Sequence, residues 1–204
     1  MSRFIRISAL ALSALMLSAC SILPEPEQLH VYRLPGTAPS VSTLATPSPM
    51  TLQVNRPSSN QILDSSRIVV LPDGNQVSTY QGVRWSDRAP TMLRDRLIDS
   101  FISANSFAAV SSDDNHLQTD LQLVSTLRAF QSEYRNGAPQ VQIQLDVQLV
   151  DSQQQIIASR RFSVSQAATG TSVENVVEAF GSAVDNLSTQ LLQWTLSQSH
   201  KSNR

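Results

Sequence analysis

The longest regular pattern in the chain lies at 140–149. Val141, Ile143, Leu145, Val147 and Leu149 alternate without a break with Gln140, Gln142, Gln144, Asp146 and Gln148. A period of two sends alternate side chains to opposite faces of a strand, so this stretch is a strand with an apolar core face and a glutamine face turned to water. Leu117, Leu121, Leu123 and Leu127 keep the same parity in the preceding segment, with Thr119 and Ser125 between them. Asn136-Gly137 separates the two segments and suits a tight turn, which predicts an antiparallel pair. A third strand at 155–164 follows the polar turn at 151–154. Met50, Leu52 and Val54 also alternate with polar residues. Stretches 67–71 and 76–81 flank Pro72-Asp73-Gly74-Asn75 and read as a hairpin. Residues 29–34 form a candidate first strand, 107–110 a short edge strand, and the prolines and glycine of 35–49 a loop.

Two segments switch to a helical period. After Pro90, which suits a first helical turn, Met92, Leu93, Leu97, Ile98 and Phe101 recur on one face and predict a helix over 90–104. Arg94, Asp95, Arg96 and Asp99 are placed largely off that face. Near the C-terminus Val173, Val177, Phe180, Val184, Leu187, Leu191 and Trp194 recur at three- and four-residue steps. Thr171 and Glu174 have capping-box spacing. Gly181 weakens this helix by about 1 kcal/mol relative to Ala. Val176, Leu192 and Leu196 lie off the main stripe, where they either face outward or edge a broad core stripe. The pattern as a whole predicts an α+β fold. It has a mostly antiparallel sheet, a central amphipathic helix and a C-terminal amphipathic helix packed on it.

The N-terminus follows a different logic. Arg3 and Arg6 precede an uncharged stretch that ends in Leu17-Ser18-Ala19-Cys20, and Cys20 is the only cysteine. A basic start, a short apolar run and small residues form a secretory signal, too short to span a bilayer. The sequence around Cys20 resembles a bacterial lipobox. The resemblance implies a signal peptide at 1–19, cleavage before Cys20, a diacylglycerol thioether on its sulfur and an acyl chain on its new amine. Residues 20–28, with Pro24 and Pro26, read as an extended tether, 29–198 as a periplasmic domain and 199–204 as a polar tail. In the enterobacterial sorting rule, Asp after the lipidated cysteine retains a lipoprotein at the inner membrane. Ser21 stands there and points to the periplasmic side of the outer membrane.

Composition removes several classes of function. The 204 residues carry 15 Lys and Arg against 16 Asp and Glu, with no basic patch, which argues against a nucleic-acid partner. The lone cysteine rules out a disulfide framework. His30, His116 and His200 are isolated, so no metal site is expected. No phosphate-binding glycine loop and no Gly-x-Ser-x-Gly elbow occurs. Asp64, Asp87 and Asp120 could converge only through the fold. The chain reads as a non-enzyme with no cofactor beyond the lipid on Cys20.

Tyr80, Arg84 and Trp85, just ahead of Pro90, stand out from this background. Tyr, Trp and Arg are the composition of protein-binding hot spots. They are equally the composition of a strand-to-helix corner, with Trp85 under the helix and Arg84 paired with an acid such as Asp87. The corner is read first as structural.

These motifs in order resemble a known family. They are the lipobox at Cys20, Tyr32-Arg33-Leu34, Leu63-Asp64 with Arg67-Ile68, then Tyr80, Arg84-Trp85, Pro90, the later strands and the helix bearing Trp194. The chain is similar to the auxiliary lipoproteins of ABC-type transport systems, the PqiC-like group. The resemblance implies an MCE-domain protein and an inner-membrane permease as partners, in a system that moves lipid between membranes. The implied role is docking of the MCE conduit at the outer membrane. A lipid-binding carrier and a structural, peptidoglycan-associated lipoprotein are the competing readings. Self-association of the domain, through a strand edge or a helix face, is a further expectation.

Overall fold

The computed structural model describes residues 28–36 and 47–202. The expected signal peptide, Cys20, the expected tether up to residue 27, residues 37–46 of the proline-rich loop and residues 203–204 lie outside the described residues. The elements are β1 (His30–Tyr32), β2 (Ser48–Val54), β3 (Ser58–Ser59), β4 (Val69–Leu71), β5 (Ser78–Thr79) and β6 (Val83–Trp85). Helix α1 (Ala89–Ser103), β7 (Phe107–Ser112) and a 3-10 turn (Asp113–Asn115) follow. Then come β8 (Leu121–Arg135), β9 (Ala138–Asp151), β10 (Ile156–Ala167) and helix α2 (Val173–Ser202).

β8 is the spine of the main sheet. It pairs antiparallel with β9 from Leu121 opposite Asp151 to Arg135 opposite Ala138. The turn uses Asn136 at φ 53° and Gly137 at φ 78°, left-handed conformations that Asn and Gly tolerate. β10 completes the antiparallel half. On the other edge of β8, β2, β3 and β4 line up end to end, all parallel to it, and β7 joins β2 in parallel. β4 and β5 form the expected hairpin. The first strand is not part of this sheet, because β1 pairs in parallel with β6 in a separate two-stranded ribbon. β2 begins at Ser48, inside the stretch expected to be loop, and Pro49 is tolerated at an irregularity in the β2–β7 register.

The alternation at 141–149 holds, with all five apolar residues at most 1% exposed. The parity of β8 does not run through. Leu127 faces Leu145 but Ala129 faces Gln144, so Arg128 is an extra residue in a β-bulge. Before it Leu121, Leu123 and Leu127 are buried; after it Phe130 and Ser132 are. Leu117 is 55% exposed and lies outside the strand, because β9 offers no partner beyond Asp151.

Both helices cover the core face, α2 over β9 and β10 and α1 beside β7 and α2. The glutamine face is left open, where Gln142 donates to Ser165 Oγ at 2.8 Å. Val176, Leu192 and Leu196 are at most 6% exposed, so the outward-facing reading fails and the core stripe of α2 is broad. Its cap is Ser172 rather than Thr171. The Asn175 N–H donates to Ser172 Oγ, while Glu174 accepts the Tyr32 hydroxyl at 2.6 Å. The helix continues to Ser202, through residues expected to form a polar tail, and Ser199 is buried.

Of the two arginines of α1, Arg94 is buried rather than solvated and Arg96 is partly buried. Arg94 is stacked in sequence on Pro90 and Leu97, three or four residues apart, and so shares the core stripe. Its guanidinium pairs with Asp95, Asp113 and Asp114 at 2.7–2.9 Å. Burial works against its charge, but the Asp113 and Asp95 hydrogen bonds prevail and raise its pKa. For Asp113, burial is outweighed by the Arg56 N–H and by Arg94, and its carboxyl is held below the usual range. Arg56 continues the network to Asp64, which Arg88 also approaches. Removing one partner of a fully buried ion pair costs about 3–5 kcal/mol. Asp95 and Asp114 are more than half exposed, so water can rescue them. Arg94→Ala is therefore expected to cost about 2–3 kcal/mol in urea unfolding, with Arg94→Lys recovering only part because it lacks the planar fork.

Gly181 also marks a crossing. A Cβ there would lie 2.9 Å from the Pro35 carbonyl oxygen and 3.0 Å from the Pro35 Cβ. One residue on, Gly36 lies against the Arg96 guanidinium, which also bonds Asp185 of α2 at 2.7 Å. The N-terminal segment is thus strapped over both helices.

Candidate docking corner

The corner at 80–85 is assembled by three local events. The β4–β5 hairpin brings Tyr80 back beside Ile68, whose carbonyl accepts the Tyr80 N–H at 3.1 Å. Gly82 at φ 67° turns the chain into β6. β1 then lies along β6, with Val31 opposite Arg84 and Tyr32 opposite Trp85.

Trp85 is fully buried. Its ring meets Phe180 of α2 edge-on at 5.2 Å and Phe130 of β8 at 6.2 Å, and those two phenylalanines stack at 4.8 Å. It therefore sits under the last helix, a long-range contact that local sequence does not show. Tyr80 is half-buried, and its hydroxyl lies 3.3 Å from Ser132 Oγ. Burial pushes its phenol up to about 12, so it stays a neutral hydrogen-bonding group. Arg84 is part-exposed and does not pair with Asp87, which instead accepts the Arg88 N–H at 2.6 Å. The three residues thus divide: Trp85 belongs to the core, while Tyr80 and Arg84 reach the surface.

That surface carries two adjoining depressions. One, of about 510 Å³, is lined by Ile62, Val77, Arg67 and small polar residues. The other, of about 380 Å³, is lined by Leu29, Tyr80, Arg84 and again Arg67. Sequence reasoning missed Ile62 and Val77. Val77 is visible as a β-favouring residue of the hairpin, but no pattern shows that both stay about half exposed.

A third depression, of about 560 Å³, lies on the open sheet face. There Asp146 pairs with Arg161 and Arg128, and its carboxyl is depressed to about 2, chiefly by the Arg161 hydrogen bond. Its charges are mutually satisfied. Asp64, Asp87 and Asp120 stay apart: Asp64 pairs with Arg56, and Asp120 accepts from Thr51 at 2.7 Å. Among the described residues no group of three or more His, Cys, Asp or Glu converges as a metal site, and no helix is long and apolar enough to cross a membrane.

The described residues form an α+β domain with a strapped N-terminal segment and surface depressions beside Tyr80 and Arg84. Residues 32–191 match the family described as the ABC-type transport auxiliary lipoprotein component, and the chain belongs to that family. The family is one of transport auxiliary components. Protein XCC0632 from Xanthomonas campestris, a solved structure, is 30% identical, with a TM-score of 0.78 over 85% of this chain and 98% of that one. The hypothetical protein CT253 from Chlamydia trachomatis shares the fold at 6% identity, with a TM-score of 0.52 over 74% of this chain and 98% of its own. The uncharacterized protein bll6063 of Bradyrhizobium diazoefficiens is 27% identical over 84% of this chain. The chain spans about half, 46%, of that curated relative.

Proposed function

We propose that the chain is a lipid-anchored accessory lipoprotein of an MCE/ABC-type envelope lipid transport system. It docks the MCE conduit at the periplasmic face of the outer membrane, with the MCE-domain protein and the inner-membrane permease of the same system as partners. The observation that carries this reading is the family match over 32–191, on a folded domain preceded by the lipobox-like Cys20. Lipid crossing water needs a shielded route, since exposed acyl surface costs about 25 cal/mol per Å². An anchored domain can hold the mouth of such a route against its target bilayer.

A carrier would need an apolar cavity between sheet and helices. That layer is occupied by Trp85, Phe130, Phe162 and Phe180, each at most 1% exposed. The docking function is tested by displaying the anchored chain on phospholipid vesicles and adding its purified MCE partner. Retention of the MCE protein on floated vesicles is expected. Its absence, with the chain itself still floating, would sink the docking reading. Sedimentation with purified peptidoglycan instead would favour the structural-envelope alternative.

A further inference from the structure

We propose that the corner bearing Leu29, Val31, Ile62 and Val77, with Arg67 and Arg84, is a membrane-contact face that seats the domain on the phospholipid surface holding its anchor. The proposal rests on the anchored reading of Cys20 given above.

The first observation is where apolar exposure falls. Among the described residues seven large hydrophobics are strongly exposed: Leu29, Val31, Ile62, Val77, Ile102, Leu117 and Ile156. Four of the seven belong to this corner, at 48–53% exposure. Ile62 and Val77 line one depression and Leu29 the next, the two share Arg67, and Val31 is paired with Arg84. Scattered single apolar residues need no explanation, whereas a contiguous group rimmed by polar residues marks a contact surface.

The second observation is charge. The chain is slightly acidic overall, yet the charged residues lining the two depressions are Arg67 and Arg84. Neither is ion-paired among the described residues, whereas Arg56, Arg94 and Arg96 are each tied to an aspartate. Half-exposed aliphatic side chains flanked by free guanidinium groups suit the headgroup layer, where apolar atoms enter the acyl boundary and arginines meet phosphates.

The third observation is chain length, which selects the bilayer over other occupants. Residues 21–28 separate Cys20 from Leu29, and eight residues reach at most about 26–29 Å when extended. Leu29 itself lines the corner, and the His30 N–H is fixed to the Gly82 carbonyl at 2.9 Å. The tether therefore enters the domain at this face and keeps it within one tether length of the membrane, which raises the effective concentration of the surface and lets a weak affinity set orientation. The opposite end then points away. Val70 pairs with Ser132 and Asp151 with Leu121, so the β9–β10 turn lies eleven residues of β8 from the hairpin, about 36 Å at strand rise.

The test uses the full mature chain, lipidated on Cys20, in vesicles of phosphatidylethanolamine and phosphatidylglycerol. Cys20 is the only cysteine and its thiol is consumed by the anchor, so Ile62→Cys, Val77→Cys and the control Gln153→Cys each supply one labelling site for an environment-sensitive fluorophore. Lipids carrying a spin-label quencher near the headgroup should quench the labels at 62 and 77 and leave that at 153 unquenched. Arg67→Glu combined with Arg84→Glu should lower the quenching at 77. Equal quenching at all three positions in floating vesicles would overturn the proposal. So would labels at 62 and 77 that are shielded from aqueous iodide yet untouched by the lipid quencher, since a second copy or a protein partner would then cover the corner. Failure of the chain to float identifies a failure of the anchored reading itself, and the membrane face falls with it. Loss of MCE retention alone leaves these measurements unchanged.

Discussion

Trp85→Ala is expected to lower the stability of the domain by about 3–5 kcal/mol, the usual cost of truncating a buried large aromatic. The indole is fully buried and holds β6 against both the sheet and α2 through Phe130 and Phe180. Removing it leaves a cavity that two stacked phenylalanines cannot close, because Phe130 is fixed in the β8 ladder and Phe180 in a helix turn. Domains are stable by only about 5–15 kcal/mol, so this is a large share of the total. At about 2–4 °C per kcal/mol for a domain of this size, the melting temperature should fall by roughly 10 °C. Trp85→Phe should keep part of the edge-on contact and lose less. An unchanged melt with weakened MCE binding would instead make Trp85 a docking residue that reorganises on contact.

The largest functional effect is expected at Cys20. Cys20→Ser should abolish acyl labelling, leave an unprocessed precursor and move the domain out of the outer-membrane fraction. Each buried methylene contributes about 0.8 kcal/mol, and stable anchoring takes more than one chain, so the loss is all-or-none rather than graded. Metabolic labelling with palmitate and membrane fractionation read both outcomes. Mature-sized, labelled protein from the serine variant would remove the basis for the anchored reading. Ser21→Asp provides the companion test: under the sorting rule it should keep the acyl label and shift the protein to the inner membrane.

Most of the antiparallel half of the fold is legible in the sequence, because strict alternation and an Asn-Gly turn leave one register that buries every apolar residue. Legibility ends where one residue interrupts the period. Arg128 is the extra residue of the bulge, and in a regular, unbulged strand of the same sequence Phe130 would face water. The parallel strands are harder to read. β3, β4 and β6 are two or three residues long, too short for a periodicity, and their partners lie far along the chain. α1 shows a related failure. The spacing from Pro90 to Leu97 and Phe101 places Arg94 on the core stripe, but its charge argues for solvent until Asp113 and Asp114 are brought beside it by β7. At the corner, residue type alone leaves Trp85, Tyr80 and Arg84 equivalent. Tertiary packing separates a core tryptophan from a surface arginine, and it alone reveals Ile62 and Val77 beside them.

The strap formed by β1, Pro35 and Gly36 also fixes how the molecule bears load. Tension applied through the tether enters at the His30–Gly82 hydrogen bond and passes along the β1–β6 ribbon. It reaches the helices next, where Pro35 presses on Gly181 and Gly36 on Arg96, and Arg96 hands it to α2 through Asp185. A pull applied ahead of β1 is thus shared between a short strand pairing and two helix contacts before it meets the hydrophobic core. The strap takes such a load as a cleat takes a mooring line, ahead of the planking.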